Sequence, residues 1–436
     1  MRIAIFDNLA NSAYIQAKVF HGLGHAVDLV PDPLDQYAMS DPRWEELDIE
    51  LPTDELVDAV LPECRLPEWV LQAPRPVSDR RSLRAIAGLP AVLGIGQATR
   101  SAARAAGWRG GRMALERAWV IRTLRRYDCV IAYGMGPTWA ALAQTPCLAI
   151  AWGGDITMLP FFDTGDWEGH ATVPLPGPRA ELAAQAQLQR LGYEWAGRLM
   201  LADPRFFPFA ARLGHDRKSV YLGFLVDTER YAPGAEPELR RRLLGDREGL
   251  IVFVPSRQDW FWKGSDRLLR GFAMATEGRS DVVLICAGWG ADLARSEQLI
   301  VELGIADRVR LLPSAMSKGR LRRHYRAADV VADQFTVGSY GGSALEAMSC
   351  ARPLLVALDP DRFGGVYEPF PPVMNVADPE AIAAALARLI DDREFRLRLG
   401  DQAREWVKAN HGAPLVTRVL ELCHEVVMEA ERGSPS

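Results

Sequence analysis

No pair of cysteines in this 436-residue chain is spaced as CxxC, and the six present (64, 129, 147, 286, 350, 423) mostly sit in apolar runs. That excludes a zinc or disulfide framework and suits reduced thiols inside a core. No apolar run reaches the length of a membrane span, and the opening MRIAIFDNLANSAY reaches an Asp and two Asn too soon for a signal-peptide core. The expected setting is therefore cytoplasmic. There is no excess of positive charge: the net charge of −5 argues against a chain-wide nucleic-acid binder. A Walker loop, a Ser/His/Asp motif in its usual context and an internal repeat are also missing.

What is present is ordinary soluble composition, 48% hydrophobic and 25% charged, in a chain long enough for two or three domains of ~150 residues. Short apolar runs alternate with helical patterns: RIAIF (2–6), DCVIAY (128–133), CLAIAW (147–152), LIVFVPS (250–256), DVVLICAG (281–288), VRLLP (309–313), DVVADQ (329–334) and PLLVAL (353–358). Such runs fit buried parallel strands, so the fold class is α/β, with ligands expected beyond the carboxyl ends of the strands. Ser265 and Ser317 stand where they could cap helices. The stretch GFLVDTERYAPGAEPE (223–238) is the best linker. It divides the chain into an amino-terminal domain, 1–228, a carboxyl-terminal domain, 229–410, and a last helix, 411–436, expected to pack back on the first domain.

The amino-terminal half reverses its charge. Residues 31–70 hold twelve acids against Arg43 and Arg65, while residues 75–126 hold twelve arginines against Asp79 and Glu116. Both segments resemble insertions. A basic amphipathic stretch of this kind can lie on an anionic membrane surface, which would make the protein peripheral. The alternatives are pairing between the two segments and a plain solvated face.

Two stretches of the second half carry chemistry. In VPSRQDWFWKGSDRLL (254–269), Arg257 and Lys263 lie six residues apart on a loop at a strand's carboxyl end, where both could reach one diphosphate. In GSYGGSALEAMSCARPLL (338–355), a glycine-rich loop opens a helix holding one carboxylate, Glu346. A helix start of this type exposes backbone N–H groups and attracts phosphate. The aromatic residues of DWFWKG suit rim packing or an acceptor platform, and DPD (359–361) lacks further carboxylates to complete a metal site.

Taken in order, FVPSRQDWFWKGSDRLLRGF, LICAGWGADLARSEQLIVELGIADRVRLL, LRRHYRAADVVADQ and GSYGGSALEAMSCARPLL resemble the nucleotide-sugar-binding half of retaining GT-B glycosyltransferases of family four. The likeness covers about 220–410, and GFLVDTERYAP is similar to the family's interdomain segment. The resemblance implies two Rossmann-like domains whose parallel sheets face a central cleft. It also implies a metal-independent transferase with no cofactor that moves a sugar from a nucleoside-diphosphate sugar to an acceptor hydroxyl, UDP-sugar being favoured over GDP- or ADP-sugar. Arg257 and Lys263 would then hold the diphosphate and Glu346 the ribose hydroxyls. The loop Gly338, Ser339, Tyr340, Gly341 and Gly342 would meet the distal phosphate and sugar, and Leu312 and Pro313 the base. The acceptor would be a carbohydrate, a lipid-linked molecule or a small molecule. Cell-surface polysaccharide, glycolipid or glycoconjugate synthesis is the implied setting.

The chain departs from that pattern at several points. Gly338 stands where the family has a first glutamate, and Ala10–Asn11–Ser12 where it has a glycine pair in its first loop. Tyr133 and Trp152 replace histidines, leaving Asp155 as an acceptor-side or positioning carboxylate beside Asn11, Ser12 and Tyr133. A nucleotide-sugar epimerase and a non-catalytic partner subunit on the same scaffold are the alternative readings.

Overall fold

A computed structural model describes residues 1–35, 37–57, 59–72, 95–164, 177–245 and 247–433. The first strands in chain order are β1 (Ile3–Phe6), β2 (Val27–Val30), β3 (Glu50–Leu51), β4 (Cys129–Tyr133), β5 (Cys147–Ala151), β6 (Arg198–Leu201) and β7 (Ser219–Tyr221). They are followed by β8 (Leu250–Val254), β9 (Val282–Ala287), β10 (Val309–Leu312), β11 (Ala315–Met316), β12 (Val330–Ala332), β13 (Leu354–Val356) and β14 (Met374–Asn375). One six-stranded parallel sheet runs β2-β1-β4-β5-β6-β7 and a second runs β10-β9-β8-β12-β13-β14, while β3 and β11 form a short antiparallel pair. All eight expected strands form, because their runs of buried β-branched and small residues fill sheets covered on both faces. The strands β2, β6, β7 and β14 are too short or too mixed to stand out by pattern.

The chain forms two compact units, one of residues 1–36, 65–223 and 415–436, the other of residues 37–64 and 224–414. This differs from a single cut at 228/229 in one respect of consequence: residues 37–64 of the amino-terminal half pack with the carboxyl-terminal sheet. The reason is visible in the acidic stretch. Glu45 is fully buried and pairs with Arg230 at 2.9 Å, Asp48 reaches Arg323 at 2.7 Å, and Glu50 meets Arg320 at 2.5 Å. Glu45, Glu46, Asp48 and Glu50 thus answer arginines far along the chain. Asp32 alone among these pairs with the basic segment, through Arg117 at 2.9 Å.

The helix Ala413–Gly433 begins beside the boundary of the units and its larger part belongs with the first. Gly197 lets it approach, since a Cβ there would stand 2.9 Å from Val426, and Arg198 bonds Glu429 at 2.6 Å. All six cysteines are free, five of them buried and Cys64 partly exposed.

The expected serine caps do not form. The helix Ser265–Ala275 starts after Gly264, and the Ser265 hydroxyl instead accepts the Asp259 amide at 3.0 Å. The Ser317 hydroxyl is taken by Leu47 and Ile49.

Within the second unit, His411 is fully buried, with Nδ1 2.7 Å from the Phe224 carbonyl and Nε2 within 3.0 and 3.2 Å of the Tyr367 and Tyr340 hydroxyls. In the neutral tautomer with hydrogen on Nδ1, the ring donates to the Phe224 carbonyl and offers its one Nε2 lone pair to the tyrosine hydroxyls, which also bond each other at 3.1 Å. Burial pushes its pKa down to about 4, although the Phe224 carbonyl favours the charged form. A folded pKa below the unfolded value means this stabilisation is complete above about pH 6.5 and is lost as the pH falls towards 4, amounting to about 3 kcal/mol. Urea unfolding at pH 7 and pH 4 is expected to show that acid loss in the native chain and a smaller one in His411→Gln.

Candidate functional site

Because β8, β9, β10, β12 and β13 are parallel, their carboxyl ends (Val254, Ala287, Leu312, Ala332, Val356) share one edge of the second sheet. The loops leaving that edge carry Arg257, Lys263, Leu312–Pro313 and Gly338–Gly342, and Glu346 lies in the helix Gly342–Ser349 that follows. Topology thus brings the sequence candidates of this half to one place.

Arg257 is 41% exposed at its side chain and bonds Asp259 at 2.9 Å. Asp259 is itself fixed, accepting the Trp262 amide at 2.8 Å, so the guanidinium is aimed by a buried partner while its face stays open. Lys263 donates to Gln334 Oε1 at 2.7 Å, and Gln334 in turn donates to the Ser339 carbonyl. A buried amide therefore links the cation to the glycine loop. Gln334 closes the DVVADQ run, which was read only as a strand, and its position just beyond β12 was the available signal. The close approach of these loops requires Gly264, with φ of +66° and a Cβ position 3.1 Å from Phe335. Of the aromatic cluster, Trp260 is held under Arg295 at 3.9 Å, whereas Phe261 is exposed.

Glu346 is 3% exposed. One carboxylate oxygen pairs with Lys318 and the other accepts the Tyr325 hydroxyl at 3.2 Å. Each oxygen has two acceptor directions, so both keep one for a further donor. Beside it, nothing stands within 4 Å of a Cβ position on Gly341, and the nearest atom to one on Gly342 is Glu346 Oε1 at 3.9 Å. The helix start and the carboxylate thus face the same open space. The Leu312 carbonyl is engaged by the Gly288 amide at 2.6 Å, which leaves main-chain atoms of Pro313 and Ser314 for contacts from outside.

Gly338 has φ of +71°, and a Cβ there would lie 3.3 Å from that of Asp359. The position where the related family carries glutamate is here left-handed backbone, which a side chain occupies only with strain. Gly338→Glu is therefore expected to lower the melting temperature by several degrees and not to raise any transfer rate, as thermal denaturation and product assays would show. Asp359 caps its own helix through the Asp361 and Arg362 amides and pairs with Arg362 at 3.0 Å. Among the described residues, no three His, Cys, Asp or Glu side chains come together as a metal site.

In the first unit, Asn11, Ser12, Tyr133 and Asp155 follow or end β1, β4 and β5 at the carboxyl edge of that sheet. Ala10 and Asn11 adopt φ of 49° and 64°, so residues other than glycine hold the left-handed bend. Asn11 is buried and accepts Asn8 Nδ2 at 2.9 Å, while Ser12 opens the helix Ser12–Gly22. The Tyr133 hydroxyl is buried against Gln16 at 3.1 Å. Asp155 is occupied locally, accepting the Gly153 amide at 2.6 Å, the Trp152 amide at 3.0 Å and the Tyr193 hydroxyl at 3.3 Å. Burial pushes its pKa up to about 6 against those bonds. The sequence reading missed Asp7, with φ of 67°, whose pKa is pushed up to about 7 by burial first and by Asp32 next. Its place one residue beyond β1 was the available signal.

Residues 236–406 match the sequence pattern of the family described as glycosyl transferases group 1. That likeness covers the carboxyl-terminal part of the chain, which includes the second sheet. A D-inositol 3-phosphate glycosyltransferase of Corynebacterium efficiens is 32% identical over 226 residues, covering 48% of this chain and 52% of the relative. One of the same name from Mycobacterium sp. strain JLS is 38% identical over 137 residues, 30% of each chain. The chain thus spans about half, or less, of the length of these curated relatives. Among solved structures, HepE of Anabaena in complex with UDP and glucose superposes with TM-score 0.60 at 15% identity, over 97% of this chain and 98% of that one. Sucrose-phosphate synthase of Thermosynechococcus elongatus gives 0.56 at 15% identity, over 98% and 100%. These likenesses show the fold: two parallel α/β units of the GT-B class. The matched residues include Arg257, Lys263, Leu312, Pro313, Gln334, Gly338–Gly342 and Glu346, the set gathered at the second sheet's edge.

Proposed function

We propose that the protein is a retaining, metal-independent glycosyltransferase that moves a sugar from a nucleoside-diphosphate sugar to an acceptor hydroxyl. The observation that carries this reading is the pairing of two cations, Arg257 and Lys263, with a glycine-rich helix start and a buried carboxylate at one sheet edge, within the residues that match the group 1 pattern. Cations and N–H groups suit a diphosphate, and the carboxylate suits ribose hydroxyls.

Breaking the sugar–phosphate bond leaves negative charge on the departing diphosphate. Arg257 and Lys263 would stabilise it, both already oriented, and the amides at Gly341 and Gly342 would add their dipoles. In a retaining reaction the phosphate oxygen on the same face takes the acceptor's proton, so Asp155, engaged within its loop, need not act as base. Asp155, Asn11, Ser12 and Tyr133 would shape the acceptor side of the first unit. UDP-sugar is the first donor to assay, and the relatives' name makes an inositol phosphate the first acceptor to offer.

Association with an anionic membrane surface is the accompanying proposal. Arg100, Arg104, Trp108, Arg109, Arg122, Arg125 and Arg126 are exposed, whereas Arg112 and Arg117 are engaged by Glu181 and Asp32. Arg75, Arg80, Arg81 and Arg84 lie outside the described residues. No helix among the described residues is long and apolar enough to cross a membrane. Binding to phosphatidylserine vesicles that weakens with added salt is the expected result, and binding indifferent to salt counts against it.

The experiment for the main reading is incubation of the purified protein with UDP-, GDP- and ADP-sugars, with and without acceptor. Transfer with retained anomeric configuration, unaffected by chelator, supports it. Conversion of the donor alone indicates an epimerase, and nucleotide binding without turnover indicates a partner subunit.

A further inference from the structure

We propose that Lys318 is a positioning residue of the nucleotide site, holding the Glu346 carboxylate in place for ribose hydroxyls, and that residues 45–51 of the amino-terminal half hold Lys318 in turn. The inference rests on the nucleotide-sugar reading of this edge and assigns a role to residues outside its motifs.

Burying a carboxylate without partners is costly, and a bare one beside a diphosphate would also repel it. Lys318 answers both difficulties. It pairs with one oxygen of Glu346 and makes the pair neutral, while Tyr325 fixes the other oxygen at 3.2 Å. The plane of the carboxylate is therefore set before any ligand arrives, with one acceptor direction left on each oxygen. Burial opposes the charge on Lys318, yet Glu346 and Glu45 outweigh it and hold the ammonium above its ordinary range.

Lys318 is itself placed by the segment that sequence order assigns to the other half. Its neighbour Ser317 is clasped on both sides: the amide donates to the Ile49 carbonyl at 2.9 Å, the hydroxyl donates to the Leu47 carbonyl at 2.7 Å, and the same hydroxyl accepts the Ile49 amide at 3.0 Å. On the other side, a Cβ on Gly319 would stand 2.5 Å from the Leu47 carbonyl oxygen, so the backbones touch there. Ala315 and Met316 pair with Leu51 and Glu50 as β11 and β3. Glu45 is buried beside Tyr231 and fixed by Arg230. The strand pair and the clasp fix the backbone on both sides of Lys318, whose ammonium pairs with Glu346. Because β11 begins three residues after β10 ends, the same clasp steadies the turn at Pro313 and Ser314.

The test is calorimetric titration with UDP, GDP and ADP, and then with the 2′,3′-dideoxy form of whichever binds. The native protein is expected to prefer the ribo form by about tenfold, and Lys318→Met to lose most of that preference while Lys318→Arg keeps it. In a Glu346→Gln background, Lys318→Met is expected to change affinity less than about twofold, because a residue acting only through Glu346 has nothing left to orient. The double variant removes both charges together and supplies this comparison even if Lys318→Met alone fails to fold. If the native protein binds no nucleoside diphosphate, the site reading itself falls and this inference with it. If it binds and Lys318→Met keeps the ribose preference, or the double variant is tenfold weaker than Glu346→Gln alone, the positioning role is overturned and the site reading stands.

Discussion

Replacing Lys263 with alanine is expected to reduce sugar transfer by roughly a hundredfold, mostly in kcat, the size seen when one preorganised charge-stabilising donor is lost. Two effects combine. The ammonium that would meet the leaving diphosphate disappears, and Gln334 loses the donor that fixes its amide. Gln334 is buried and bonds the Ser339 carbonyl, so one of the hydrogen bonds that hold the glycine loop is loosened as well. Lys263→Arg separates the two contributions. A planar guanidinium keeps the charge but not the point geometry, so activity between that of the alanine variant and the native protein is expected. A KM that rises while kcat is kept would assign Lys263 to uniform binding instead. Steady-state kinetics on the three proteins, with donor varied, decides this.

The second large effect is on stability. Glu346→Ala leaves the Lys318 ammonium buried without its carboxylate, and breaking a buried pair from one side costs about 3–5 kcal/mol. Glu45 lies near enough to favour the lysine's charge, which places the expected loss towards the lower end of that range. Removing both charges, in Lys318→Met/Glu346→Gln, should cost less than removing the carboxylate alone, since no uncompensated charge remains. Urea unfolding of these variants gives the comparison. A double variant as unstable as Glu346→Ala would show that packing, not charge, dominates at this point.

The residues that made the second unit legible were those whose role is local. Runs such as DVVLICAG form buried strands from their own composition, and parallel connection then puts the loops after them on one edge. Arg257, Lys263 and the glycine loop could therefore be placed together without coordinates. What could not be read were partnerships between distant segments. The acids at 45, 48 and 50 look like a surface insertion in a linear reading, yet they meet Arg230, Arg323 and Arg320. Lys318 lies outside the motifs and Gln334 merely closes one, because their importance comes from what stands opposite them. Ser265 and Ser317 fit helix-capping patterns, but an amide of the preceding loop claims the first hydroxyl and a distant segment the second. Gly338 shows the converse case. The missing glutamate was visible as a departure, while the left-handed φ that strains a side chain there was not.

The central claim is that the carboxyl edge of the second sheet grips a nucleoside diphosphate through Arg257, Lys263, the Gly338–Gly342 loop and Glu346. Calorimetric titration of the native protein with UDP, GDP and ADP, repeated on Lys263→Ala and Arg257→Ala, tests it most directly. Saturable binding of at least one nucleotide, weakened tenfold or more in both variants, is the predicted result. No heat from any of the three, or binding that both variants leave unchanged, would contradict it.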